Sequence, residues 1–385
     1  MIPEPQRTYL LELFDALGPA AEDFVMAGAQ AMKFAVEKVR ATKDVDFLLN
    51  VLALRKEPLQ LAQIFEKLGY IPVPESRNFQ FEKPIPNNTE KMRIEFLAPE
   101  EYKRERDFRV HIQDGVHARA CTGGSIALAQ SDLRKVSGKL PNGKEFTAQV
   151  RVTQPHALVM LKLLALADRY SNLREPKEGR HDREEAQTHA ADIVAIVTAV
   201  PDIARFNSLF FAQFLREAQL GIRILRVLGD FFREVTAPGL IVYTEYLAAN
   251  LPADRTTAEL LRRETELAQR IVAQILPPPE FFALAAAVDD STEPERGAPI
   301  VEQYLATLET DRIPVTHALA LQSLPAGAFS GAHKPGATFV MSASEPLQKV
   351  SAAQRDLLQS YLQWKVNVLR RNERLRRKFP HTLKD

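Results

Sequence analysis

The sequence predicts an α/β (α+β) protein, with a mixed sheet domain followed by a mainly helical C-terminal region. Three observations carry this. Residues 1–153 alternate short β-branched or aromatic segments with segments of three- and four-residue apolar spacing. After Pro155 the helical spacing takes over. Stretches rich in proline and glycine then punctuate the last third of the chain. The expected division is a sheet domain over 1–153, a helical domain over 154–235, and a helical extension with linkers and a basic terminal helix over 236–385.

The elements follow in order. Leu10–Leu17 reads as the end of an amphipathic helix. "DFVMAG" (Asp23–Gly28) is a short apolar run closing on glycine, hence a strand and then a turn. "AQAMKFAVEKV" (Ala29–Val39) suits a helix and "KDVDFLLN" (Lys43–Asn50) a strand. Glu57–Leu68 has helical spacing and stops at Gly69. Asn78–Glu82, Lys91–Leu97, Asp107–Ile112 and Thr147–Val152 alternate or are β-branched and aromatic, so they read as strands.

Beyond Pro155, His156–Tyr170, Asp182–Val200 and Ile203–Phe232 are expected to be helices. Thr256 and Glu259 form a capping box for a helix to Leu276, ended by Pro277–Pro279. Asp289–Pro299 and Leu324–Ala337 read as linkers. Ser351 with Gln354 opens a last long helix ending near Phe379.

Composition narrows the class. A hydrophobic content of 45% and a charged content of 26% are those of an ordinary globular protein. The single cysteine, Cys121, excludes an intramolecular disulfide and points to a reducing compartment. The N-terminal residues lack the basic region and unbroken apolar core of a secretory signal. Apolar runs reach about 11 residues, as in Ala190–Val200, which Asp192 interrupts. A membrane-spanning helix needs ~20, so no membrane association is expected and a cytoplasmic location is. Net charge is +1, but residues 351–385 hold nine Lys or Arg against three acids. That basic end is either a polyanion-binding element or a solvated helix terminus.

The chemistry gathers around "RATKDVDFLL" (Arg40–Leu49). Strand side chains alternate, so Asp44 and Asp46 share a face with Val45 opposite. Two carboxylates so placed repel unless a cation lies between them. Taken alone, the pair reads more readily as two surface aspartates at a strand start. Gly28 upstream ends a strand where a helix begins, and helix N-terminal amides bind phosphate. Glu95 in "RIEFL" is a strand carboxylate flanked by Ile94 and Phe96, which face the other way. It is a third metal ligand on the pair's face or an edge-strand carboxylate. Lys162 and Arg169 are seven residues apart, on one face of an apolar helix. Lys162, among Leu161, Leu163 and Leu164, either snorkels to solvent or reaches a buried anion.

Gly28 with "AQAM", the Arg40-Ala41-Thr42-Lys43-Asp44-Val45-Asp46 block, "MRIEFL", "HALVMLKLLALADR" and "HAADIVAI" (His189–Ile196) come in a familiar order. Over about residues 20–200 the chain resembles a nucleotidyltransferase of the AbiEii type, within the DNA polymerase β-like superfamily. The resemblance implies a nucleotidyltransferase-like sheet domain whose active site the 154–235 domain completes. It implies that Asp44 and Asp46 hold Mg²⁺ on the phosphates of a nucleoside triphosphate (NTP). Glu95 would complete a two-metal site and help activate the acceptor hydroxyl. Gly28 and Ala29 would cradle the triphosphate, with Arg40 and Thr42 in the nucleotide-binding block. Lys162 would neutralise it, and Asp192 would orient Lys162 or Arg169.

The implied reaction moves a nucleoside monophosphate to a hydroxyl of an RNA 3′ end, a protein or a small molecule. Some members of the family are toxins of toxin–antitoxin pairs, so a cognate antitoxin is an implied partner, and the basic end suggests RNA. The sequence departs from the pattern at three places. Ala29 replaces the second Gly or Ser, Glu95 stands for the commoner Asp, and His189 sits where a basic–acidic pair is frequent. These departures motivate an alternative, a catalytically degenerate fold serving as a binding or scaffold module. A glycosyltransferase, whose Asp-x-Asp also binds a metal–nucleotide complex, fits the glycine turn and the Lys162 helix less well.

Other features are weaker. "CTGGS" (Cys121–Ser125) lacks the Gly-Lys-Ser/Thr ending of a phosphate loop and reads as a flexible loop, and Cys121 as an inert thiol. The histidines show no metal spacing. Tyr361 and Trp364 read as helix core rather than base-stacking groups.

Overall fold

The computed structural model describes residues 2–37, 44–86, 91–103, 108–171, 176–214, 218–252 and 257–276, with short pieces beyond. The chain forms two compact units: residues 1–201 with 239–272, and 202–238 with 273–385.

The first unit opens with α1 (Gln6–Leu17), β1 (Phe24–Ala27) and α2 (Gly28–Met32), then β2 (Asp44–Leu49), α3 (Val51–Leu54) and α4 (Leu61–Lys67). The strands β3 (Ile71–Pro72), β4 (Gln80–Pro84), β5 (Lys91–Pro99), β6 (Arg109–Gln113) and β7 (Val116–Cys121) follow. Next come α5 (Gly124–Ala129), β8 (Ser131–Lys139), β9 (Glu145–Thr153), α6 (Pro155–Ser171) and α7 (Pro176–Thr198).

The nine strands make one mixed sheet of order β3-β4-β5-β2-β1-β9-β8, with β7 also paired to β5 and β6 to β7. β1 runs antiparallel to β2 and parallel to β9, and β2 runs parallel to β5. The period of two sorts the two faces of these strands. Val45, Phe47, Ile94 and Phe96 are buried on one side. There Phe14 of α1 meets Phe47 at 6.0 Å, and Phe65 of α4 stacks on Phe96 at 5.3 Å. On the other side Val25, Leu48, Ala127 and Ala157 form a smaller core under α5 and α6. That second face also carries Asp44, Asp46 and Glu95. An apolar core on each side of the sheet leaves polar space only where no helix covers it.

α6 packs on α7, and α10 (Pro238–Asn250) and α11 (Ala258–Ala273) complete the unit. Glu245 of α10 accepts hydrogen bonds from Arg183 and from Gln187, the latter at 3.0 Å. The second unit contains α8 (Ile203–Phe214) and α9 (Ala218–Phe232). α9 is the more strongly amphipathic, burying Ile224, Leu225, Leu228 and Phe232.

Several expected elements change. The helix expected over Ala29–Val39 spans Gly28–Met32 and then tightens into turns, Lys33 and Phe34 donating to the carbonyls of Gln30 and Ala31. β7, β8, α3, α5 and α10 were not expected. Ile203–Phe232 is described as two helices. Leu260 N–H is capped by Thr257 Oγ1 at 3.2 Å, whereas Thr256 lies outside the described residues. "CTGGS" is no flexible loop: Gly124 starts α5 so close to β5 that an added Cβ would lie 2.9 Å from Pro99 Cα. Most of the expected terminal helix, with Tyr361 and Trp364, lies outside the described residues.

Candidate active site

The site is built where β1 ends and β2 begins. Antiparallel pairing sets Ala27 opposite Asp46, so Gly28 turns directly over the aspartate. Gly28 has φ +61°, and a Cβ there would fall 1.7 Å from Asp46 Oδ2. Only glycine satisfies both the left-handed backbone and the missing space. Ala29 follows inside the helix, buried and without positive φ. The alanine that departs from the sequence pattern is therefore unstrained.

Parallel pairing of β2 with β5 sets Asp46 beside Glu95 and Asp44 beside Arg93. Arg93 Nε lies 4.0 Å from Asp44 Oδ1, and the Asp44 side chain is 47% exposed. β5 changes neighbour along its length. Its first half pairs with β4, where Gln80 faces Glu95, and its last residues pair with β7, where Leu97 faces Arg119. Glu95 receives both: Gln80 Nε2 donates to Oε2 at 2.8 Å, and an Arg119 terminal nitrogen lies 2.7 Å from Oε1. Neither Gln80 nor Arg119 was anticipated, because register, not spacing, brings them there.

From α6 and α7, Lys162 Nζ lies 2.7 Å from Asp192 Oδ2, both side chains nearly inaccessible. Lys162 therefore reaches a buried anion instead of snorkelling. Arg169, one of the expected nucleotide-binding residues, pairs with Asp182 at 2.6 Å. Asp192 thus has Lys162 as its partner, and Arg169 is taken up in a helix–helix contact. Arg40 and Thr42 lie outside the described residues.

Electrostatics single out Asp46. Burial raises its carboxyl to about 7, and the charges of Glu95 and Asp44 add to the rise while Lys162 and Arg119 oppose it. At Arg119 burial opposes the charge, but Glu95, Cys121 and Asp46 outweigh it, so the guanidinium holds its proton more tightly. Burial also lifts the Cys121 thiol to about 11, which keeps it neutral and fits the inert reading. His111 and His117 meet edge to face across β6 and β7, their ring centroids 5.4 Å apart.

Do these residues fit a hard cation? Asp44 and Asp46 offer carboxylate oxygens on one strand face, and Asp46 is raised by burial and, second, by the negative charge of Glu95 and Asp44, which a cation would offset. The pair fits one Mg²⁺ shared with phosphates. Among the described residues no three His, Cys, Asp or Glu side chains cluster at metal-holding distances. A separate cavity of about 410 Å³ opens at the other end of the strands, lined by Asp23, Asn50, Tyr102 and Arg151 among others.

No helix among the described residues is long and apolar enough to cross a membrane. No curated protein and no solved structure matches the chain. A family model described as a nucleotidyltransferase matches residues 10–197, about half of the chain. That segment contains Gly28, Asp44, Asp46, Glu95, Arg119, Lys162 and Asp192. The part of the chain that builds this site is therefore similar to the nucleotidyltransferase family.

Proposed function

We propose that the protein is a Mg²⁺-dependent nucleotidyltransferase that moves a nucleoside monophosphate from an NTP to an acceptor hydroxyl. The observation that carries this reading is the contact between the Gly28 turn and Asp46. It sets the backbone turn that would bind phosphate in this reading directly against the Asp46 carboxylate.

In this reading Asp44 and Asp46 hold the metal. When bound, Mg²⁺ neutralises charge on the triphosphate. The amides at Gly28 and Ala29 orient the phosphates, and Lys162, fixed by Asp192, adds positive charge. The acceptor oxygen forms a bond to the α-phosphorus as the bond to the pyrophosphate oxygen breaks. Pyrophosphate leaves, and the hydroxyl proton is released to water.

An RNA 3′ end, a protein and a small molecule all offer the required hydroxyl, and the basic C-terminal region favours RNA. Within that region, though, Arg370 is paired with Glu302 at 2.8 Å and with Glu373, which also pairs with Arg377. Arg374 Nε donates to the Arg370 carbonyl at 3.3 Å, and Arg371, Arg376 and Lys378 lie outside the described residues. A toxin of the AbiEii type with a cognate antitoxin is the finer form of the same proposal. The alternative, a degenerate binding module, drew on Ala29, Glu95 and His189, and the unstrained backbone at Ala29 answers only the conformational part of the first.

The test is transfer of α-labelled nucleotide, from each of the four NTPs in turn, to total RNA, to the protein itself and to small hydroxyl compounds. Asp44→Ala and Asp46→Ala should each abolish labelling. Undiminished labelling by either variant would sink the mechanism. No NTP binding by calorimetry, with RNA or protein binding retained, would favour the binding module.

A further inference from the structure

Both oxygens of Glu95 are engaged by protein groups, Oε1 by Arg119 at 2.7 Å and Oε2 by Gln80 at 2.8 Å. The strand order produces this. Glu95 lies where β5 exchanges β4 for β7, so Gln80 stands directly opposite it and Arg119 stands opposite Leu97, two residues further along the same face. A long side chain spans that diagonal.

The two halves of the carboxylate set therefore differ. The Asp44 side chain is 47% exposed, and Arg93, itself 43% exposed, reaches only to 4.0 Å from its Oδ1. The Glu95 side chain is 13% exposed and already meets a permanent cation. A divalent ion brought to Glu95 Oε1 would face the guanidinium at close range in a partly desolvated site, where like charges are poorly screened. At Asp44 the Arg93 guanidinium stands further off, at 4.0 Å, and both side chains are half-exposed, so solvent screens its charge far more than that of Arg119 at the largely covered Glu95.

We propose that Arg119 takes the place of a second metal ion at Glu95, so that the site holds one divalent cation, at Asp44 and Asp46, and not two. Arg119 is then a positioning residue. It fixes Glu95 and supplies from the protein the positive charge that a second ion would bring. The proposal rests on the metal–nucleotide reading of the site.

The experiment counts Mn²⁺ by the loss of its free electron paramagnetic resonance signal. It uses the full chain in excess over an α,β-methylene NTP, so that no nucleotide is free. One Mn²⁺ per complex is expected for the wild type, and two would overturn the proposal while leaving the metal–nucleotide reading intact. Failure of any of the four analogues to form a Mn²⁺-dependent complex, or a count unchanged by Asp46→Asn, would overturn both. Arg119→Met should release Glu95 and raise the count to two, whereas Arg119→Lys should leave it at one. A folded Arg119→Met protein that still takes one ion would show that Arg119 is not what excludes the second.

Discussion

Gly28 and Asp46 share one small volume: the space a side chain would need at Gly28 is filled by the Asp46 carboxylate, 1.7 Å from where a Cβ would stand. The backbone turn and the acid cannot be altered independently. Gly28→Ala should lower nucleotide transfer by roughly 100-fold or more and destabilise the fold by about 1–3 kcal/mol, from clash and left-handed strain together. Labelled-nucleotide transfer and thermal unfolding measure the two effects. Unchanged transfer would mean that this turn does not touch the reacting phosphates.

Asp46→Asn should separate stability from activity. With its carboxyl raised to about 7, the ionised form is disfavoured in the folded protein. The protonated form carries no such penalty, so the contribution to stability is full below about pH 4, the unfolded value, and is lost as pH rises through 7. Asn removes that charge at nearly constant shape. Without metal or nucleotide, the variant should be more stable than the parent at pH 8 by about 1–2 kcal/mol, a fraction of the full shift because the group is only partly buried. It should also lack the parent's decline between pH 4 and 7 and be inactive. A variant less stable than the parent at pH 8 would contradict this.

Lys162 and Asp192 form a buried pair whose members depend on each other. Lys162→Met or Asp192→Leu alone should cost about 3–5 kcal/mol, because each strands the opposite charge. The double variant should recover much of that loss in urea unfolding yet transfer no nucleotide. Additive costs in the double variant would rule out the coupling.

His156 is 2% exposed, and burial lowers its imidazole to about 4. As pH falls below about 6.5 the unfolded chain takes up a proton that the folded chain refuses. Stability should therefore drop by about 1–3 kcal/mol between pH 6.5 and 4 from this residue. His156→Gln should flatten that part of a pH series of unfolding midpoints. An identical slope in the variant would assign the acid sensitivity elsewhere.

What could be read from the sequence follows from which interactions are local. β1, β2, β5 and β9 were legible because each joins alternating or β-branched residues to a clear break. β8 was not: "SDLRKVSGK" is polar on most positions, and it is a strand because β9 pairs with it along nine positions. β7 failed for a similar reason, its "VHARAC" lacking strand composition beyond Val116. In the site, Gly28, Asp44, Asp46 and Lys162 stood out as an ordered series of motifs. Arg119 carried no signal, because only the exchange of strand partners at β5 puts it against Glu95. The overextended helix after Gly28 shows the converse, with apolar spacing continuing where the backbone turns away.

The first unit is not one continuous stretch of chain. It stops at Pro201 and resumes at Gly239, and Glu245 in the returning piece clasps Arg183 and Gln187. During synthesis, the sheet with its carboxylates leaves the ribosome before its own last helices have been made. Translation of the intervening 202–238 segment takes roughly 2–8 s at ordinary elongation rates. For that interval the faces of α7 that await α10 are open to water or to chaperones, and the unit reaches its final form only after residue 272 has emerged.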